Sequence, residues 1–206
     1  RQGQKNIFVE TCPQYLLLTE ECYTREDGLK YIMSPPLRTQ EDCDALWDGL
    51  AAGEIQVIAT DHCPFNYGKE KQMGKEDFTA CPNGAPGVEE RLMLLYSEGV
   101  AKGRITMQRL VETLCTKPCR IYGLYPEKGA ILPGADADLV ILDPDASGVL
   151  THSRMHGAVD YTSYEGMELR GEIRLVMQRG NVLVKENQFI GEKGAGRFIH
   201  RKPLQG

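Results

Sequence analysis

No apolar run in this chain approaches the ~20 residues that a bilayer-spanning helix needs, and Arg1-Gln2-Gly3-Gln4-Lys5 leads into a strand pattern, not a signal-peptide core. The expectation is a soluble, cytoplasmic protein without a membrane partner. A dominant charge is lacking too: 24 Lys and Arg stand against 29 Asp and Glu, with no long block of either sign. That balance argues against nucleic acid as the main partner and leaves a small molecule as the expected ligand. Cys-x-x-Cys pairs are absent, and the seven cysteines (Cys12, Cys22, Cys43, Cys63, Cys81, Cys115 and Cys119) form an odd set in a chain too large to need stapling. Free thiols are expected. Histidine is scarce, limited to His62, His152, His156 and His200. An initiating Met is missing as well, and the sequence reads as a piece of something longer.

What is present gathers around Ile55-Gln56-Val57-Ile58-Ala59-Thr60-Asp61-His62-Cys63-Pro64-Phe65, an apolar β-type run ending in an acid, an imidazole and a proline. Pleated with period two, it places Ile55, Val57, Ala59 and Asp61 on one face. A carboxylate closing a buried apolar row is costly unless a cation meets it, and a metal ion is the commonest partner. In a barrel of parallel strands, catalytic groups sit at such C-terminal strand ends. His62 then faces the opposite way, which suits packing more than ligation.

Before that run the order is strand, helix, strand, the signature of a parallel β/α unit. Residues 6–11 are β-branched and aromatic and stop at Cys12-Pro13. Thr39 caps a helix with Asp42 three residues on, Cys43, Leu46, Trp47 and Leu50 share its face, and Gly53 stops it. Between them Ser34-Pro35-Pro36-Leu37-Arg38 is extended and rigid, able to present main-chain groups to a ligand. A long loop, roughly 63–87, follows the acid, and loops beyond about 12–15 residues are usually functional or disordered. Inside it Lys69, Lys71 and Lys75, balanced by Glu70, Glu76 and Asp77, have the look of a solvated surface.

The far end of the loop is turn chemistry, and a helix with acids in its first turn is expected from Val88 to Tyr96. A second helix, capped by Thr106, is expected to continue or restart around Pro118 and to end at Tyr122-Gly123. From Gly129 the pattern turns to short strands, at residues 137–143, 159–164, 173–178 and 181–185, with Arg179-Gly180-Asn181 as a tight hairpin. The Gly- and Lys/Arg-rich tail from Gly191 to Gly206 is expected to run extended and to pack, if at all, on a partner subunit.

Other candidate groups have plainer readings. His152 and His156 are spaced as a helical metal pair, but Ser153 and Gly157 argue against a helix there. Cys63 and Cys81 lack a base histidine beside them, so buried free thiols are the default. Asp136 and Asp138, at the start of a strand, are expected to hold a turn together.

Taken together, Val9-Glu10-Thr11-Cys12-Pro13-Gln14-Tyr15-Leu16, Ser34-Pro35-Pro36-Leu37-Arg38, Ala59-Thr60-Asp61-His62-Cys63-Pro64-Phe65, Asn83-Gly84-Ala85-Pro86-Gly87-Val88-Glu89 and Pro133-Gly134-Ala135-Asp136-Ala137-Asp138-Leu139-Val140 resemble the C-terminal half of a cyclic amidohydrolase. The group resembled is that of D-hydantoinase, phenylhydantoinase and dihydropyrimidinase. The resemblance implies an α/β fold: the last strands and helices of a (β/α)8 barrel over residues 1–126, part of a β-sandwich over 127–190, and an extended tail over 191–206. It implies two divalent metal ions, usually Zn2+, bridged by a carboxylated lysine that is not in this chain and by a hydroxide. It implies that Asp61 is both metal ligand and proton shuttle, and that Ser34 and Asn83 hydrogen-bond a cyclic imide or ureide through main-chain groups. The implied partners are the N-terminal half of the same protein and further copies in a homotetramer. The family's other metal ligands, His-x-His, the lysine and two single histidines, would precede this chain, so the fragment alone is expected to be inactive. Two alternatives stand beside this reading. One is a non-catalytic scaffold of the collapsin-response mediator type, against which a retained Asp61 counts. The other is an allantoinase- or dihydroorotase-like enzyme, which fits the Asn83 to Glu89 context less well.

Overall fold

The structure, a computed structural model, describes residues 7–203. In its first region strand β1 (Glu10–Thr11) runs parallel to β2 (Val57–Ile58), Glu10 opposite Val57 and Thr11 opposite Ile58. Main-chain bonds lengthen the pairing on both sides: Gln56 and Val57 N–H donate to the Val9 carbonyl, and Ala59 N–H donates to that of Thr11. Part of the expected first strand, Asn6, lies outside the described residues. Pairing stops at Cys12 because Pro13 opens helix α1 (Pro13–Leu17) at a position where a missing N–H costs nothing.

Helix α2 (Gln40–Ala51) forms as its sequence dictates. Thr39 Oγ1 accepts from Asp42 N–H at 3.4 Å, and Asp42 Oδ2 accepts from Thr39 N–H at 3.1 Å, a reciprocal capping box. Gly53, at φ 81°, ends it in the left-handed region. Trp47 and Leu50 carry the helix onto the parallel pair, in one cluster with Leu16, Ile55, Ile58, Leu95 and Ile105. Each fully buried aliphatic side chain there contributes about 1.5–3 kcal/mol.

Helix α3 (Arg91–Leu95) continues as a π-helical turn to Val100; α4 (Met107–Val111) passes through another such turn into α5 (Lys117–Ile121). Thr106 caps α4 as expected, its Oγ1 accepting from Arg109 N–H at 3.1 Å. The expected helical start at Val88 is corrected to Arg91. Glu89 and Glu90 are committed elsewhere: Glu89 pairs with His156 Nδ1 at 2.7 Å, and Glu90 Oε1 accepts from the buried Thr162 hydroxyl at 2.8 Å.

The second region is one antiparallel sheet in the order β3 (Leu139–Val149), β4 (Glu168–Gln178), β5 (Asn181–Lys185), β6 (Gln188–Phe189). Arg179 and Gly180, at φ 47° and 81°, form the two-residue turn between β4 and β5, the geometry that the strands' twist favours. Residues 159–164 are not the strand their composition suggests. Tyr161, Thr162, Ser163 and Tyr164 are all buried, so they have no alternating free face, and Tyr164 packs among Tyr31, Leu37 and Leu94. Lys128 ion-pairs with both Asp136 and Asp138, which makes these acids the turn clamp expected of them. The described part of the tail returns to its own chain, with Lys202 N–H donating to the Gly123 carbonyl and Arg197 reaching Asp136. All seven cysteines are free.

Candidate active site

Two segments far apart in sequence meet beside the parallel pair. Ser34 Oγ donates to Asn83 Oδ1 at 3.3 Å across 49 residues of chain, and Gly84 N–H donates to the Ile32 carbonyl at 3.0 Å. Both side chains line one hollow of about 630 Å³ together with Tyr23, Arg25, Met33 and Phe78. Gly84, next to this contact, also packs its backbone against Cys63. At φ 141° it adopts a conformation closed to L side chains, and a Cβ there would lie 2.5 Å from the Cys63 carbonyl oxygen.

Asp61 lines a neighbouring pocket of about 450 Å³ with Glu10, Tyr15, Pro35, Pro36 and Arg38. Pro36 borders both hollows, so the Ser34-Pro35-Pro36 segment is the wall between them. Tyr15 Oη ties that wall to α1 by donating to the Pro35 carbonyl at 3.2 Å. Two expectations about Asp61 are corrected. Its backbone turns to φ 47°, so the two-residue alternation that would align it with Ile55, Val57 and Ala59 is broken before it, and Val57 and Ile58 are both buried. The carboxylate is also exposed within this chain, not buried. Its neighbour Thr60 is fixed from two sides, its carbonyl accepting from Gln14 Nε2 at 3.2 Å and its Oγ1 from His62 N–H at 3.3 Å.

No Lys or Arg among the described residues ion-pairs with Asp61, which leaves a hard oxygen donor facing open space. Such a group fits a divalent cation as one member of a larger donor set. Among the described residues no three or more His, Cys, Asp or Glu side chains gather as a metal cage. His62 does not compete for that role through Nδ1, which accepts from Gly87 N–H at 3.2 Å and Val88 N–H at 3.3 Å and so closes the long loop. His152 is likewise engaged, at 2.6 Å from the Val159 carbonyl.

The expectation of buried thiols holds for Cys81 and is corrected for Cys63, which is free but exposed because it stands in the turn just after Asp61. Desolvation, reinforced by the Glu10 and Asp61 carboxylates, pushes the Cys12 thiol up to about 12, which keeps it protonated and poorly nucleophilic. Burial raises the Cys81 thiol too. Tyr15, desolvated and next to Asp61, is pushed up to about 12 and remains a hydrogen-bond donor.

Residues 9–183 match the model of the amidohydrolase family. The chain belongs to that family. It is 47% identical over 204 residues to a D-phenylhydantoinase of Escherichia coli, covering 99% of this chain and 44% of that protein. A dihydropyrimidinase from Brevibacillus agri superposes with a TM-score of 0.95 at 41% identity, covering 98% of this chain and 44% of the other. An L-hydantoinase from Arthrobacter aurescens gives 0.89 at 36% identity, covering 94% of this chain and 43% of the other. The chain thus spans less than half the length of these amidohydrolases, and the resemblance drawn from its motifs is borne out.

Sequence reasoning missed one residue beside this site. Lys71, expected on a solvated surface, is fully buried, and its ammonium donates to the carbonyls of Ile32 at 2.7 Å and Pro82 at 2.8 Å. Its pattern of neighbouring acids carried no sign of this, because the acceptors lie 39 residues away in another segment and 11 residues away at the far end of the loop.

Proposed function

We propose that this chain forms part of a metal-dependent hydrolase that opens the ring of hydantoins or dihydropyrimidines to N-carbamoyl amino acids. Water adds across the ring amide: the C–N bond breaks, a C–O bond forms, and the leaving nitrogen takes up a proton. The observation that carries this reading is the junction of Ser34 with Asn83 next to the unpaired Asp61 carboxylate. At that junction the main-chain groups of Ser34 and Asn83 would hydrogen-bond the flat, polar edge of a cyclic ureide or imide. Asp61 would accept a proton from the attacking water and deliver it to the ring nitrogen.

Hydantoinases of this family are generally binuclear metal enzymes. When bound, two divalent ions, for which Zn2+ is our assignment, activate water and polarise the ring carbonyl. Asp61 would be the ligand that this chain contributes, and the carboxylated lysine would come from outside it. In this reading β1, β2 and the helices around them are the closing part of a (β/α)8 barrel over residues 1–126. The antiparallel sheet is then half of a sandwich over 127–190, completed by an N-terminal portion such as the relatives possess, in a homotetramer.

The test uses the intact protein that contains this chain: bound metal is measured by elemental analysis, and hydrolysis of hydantoin and dihydrouracil is assayed for wild type and Asp61→Ala. About two metal ions per subunit and turnover that collapses by several orders of magnitude in the variant are expected. A wild type without metal and without turnover refutes the proposal and moves the protein to the scaffold class.

A further inference from the structure

Lys71 sits at the head of a short 3-10 turn, Lys71–Gly74, inside the long loop after Asp61. Its side chain is wholly removed from solvent. Among the described residues no carboxylate lies within ion-pair distance of its ammonium. The charge is held instead by two carbonyl oxygens, Ile32 at 2.7 Å and Pro82 at 2.8 Å, with the Phe65 ring centroid at 5.9 Å. A buried cation without a counter-ion is costly, and an apolar side chain of that length would fill the same space. The ammonium is therefore to be explained by what it joins.

What it joins is specific. Ile32 stands two residues before Ser34, and Pro82 one residue before Asn83. The Ile32 carbonyl accepts from Lys71 and also from Gly84 N–H at 3.0 Å, so the ammonium closes a ring of bonds around the Ser34–Asn83 contact. The turn is itself pinned from behind. A Cβ on Gly74 would come 2.5 Å from Cys81 Cβ, and Cys81 Sγ donates to the Lys71 carbonyl at 3.6 Å. The ammonium reaches both carbonyls from a support that has little room to move.

We propose that Lys71 is a positioning residue, a buried ammonium clamp that sets the spacing between the Ser34 and Asn83 segments and so tunes binding of the cyclic ureide. The proposal rests on the function assigned above, and one of its readouts does not. In the intact protein Lys71→Met keeps an unbranched apolar stem, one heavy atom shorter, and removes the ammonium donors. Amide hydrogen exchange should quicken at the non-proline residues of 31–37 and 81–85 and stay unchanged outside these segments and the Lys71 turn. KM for hydantoin and dihydrouracil should rise about tenfold or more, with kcat reduced less than about threefold, because binding groups move while the proton-transfer group stays in place. Lys69→Met, on an exposed side chain, should alter neither.

Lys71→Gln, which keeps an uncharged NH2 donor group on a shorter side chain, should fall between wild type and Lys71→Met, and it replaces the Met variant if that one does not fold. A folded variant with wild-type KM and wild-type exchange overturns the clamp. So does a general rise in exchange with kcat and KM lost together, which is what a merely structural lysine gives. If the wild type turns over no cyclic ureide, the functional assignment fails. The exchange pattern still decides whether Lys71 joins the two segments.

Discussion

Gly84→Ala is the sharpest test of how the backbone builds the site. Gly84 follows Asn83 directly, donates to the Ile32 carbonyl, and lies at φ 141°, in a region that an alanine reaches only under strain. That strain costs about 1–3 kcal/mol by itself. The added Cβ would also stand 2.5 Å from the Cys63 carbonyl oxygen, 2.7 Å from its Cβ and 3.0 Å from its Sγ, so backbone has to move. The total is on the order of 3 kcal/mol, and relieving it carries Asn83 away from Ser34. Gly103 is the control: it too is left-handed, at φ 72°, but a Cβ there meets nothing within 4 Å. Its replacement by alanine should cost only about 1–2 kcal/mol. The assay is paired, thermal melting and steady-state hydrolysis of hydantoin by the intact protein. Gly84→Ala should lower the melting temperature more than Gly103→Ala and, unlike it, raise KM by at least about tenfold. Equal melting shifts with wild-type KM for both would refute the argument that this glycine, packed against Cys63, holds Asn83 in place.

Two further perturbations test supports of the same region. Asp160 accepts from the N–H groups of Tyr67 at 2.6 Å and Gly68 at 2.8 Å; partial desolvation works against its ionised form, and these two bonds outweigh it, holding the carboxyl below its usual range. A carboxyl depressed in the folded state adds stability above its unfolded pKa and loses it as pH falls through the folded value. Asp160→Asn should therefore melt lower than wild type near pH 7, with the gap closing towards about pH 3, and a gap independent of pH would contradict the assignment. Thr39→Ala removes half of the capping box of α2 and should cost about 1 kcal/mol, read from denaturant midpoints, with KM unchanged; a loss above about 2 kcal/mol would mean that Thr39 does more than cap.

Local chemistry was enough for the elements whose signals are local. The Thr39–Asp42 cap, the stop at Gly53, the Thr106 cap and the Arg179-Gly180 hairpin each depend on residues within a few positions of one another, and each formed as read. Ser34, Asp61 and Asn83 were singled out from their turn chemistry and from motifs that resemble a family, and they lie along adjoining hollows. Tertiary structure decided what local pattern does not encode. Residues 159–164 have strand composition, but consecutive burial of Tyr161 to Tyr164 left no face for pairing. Asp61 was assigned by the alternation of a strand that ends before it, and a left-handed turn reorients it. Lys71 carried the pattern of a solvated lysine because its partners, the Ile32 and Pro82 carbonyls, lie 39 and 11 residues away. A buried charge is tolerated or refused by acceptors that only the folded chain brings within reach, so the sequence by itself offered candidates such as Ser34, Asp61 and Asn83, and the fold alone determined which residues share a wall and that Lys71 joins them.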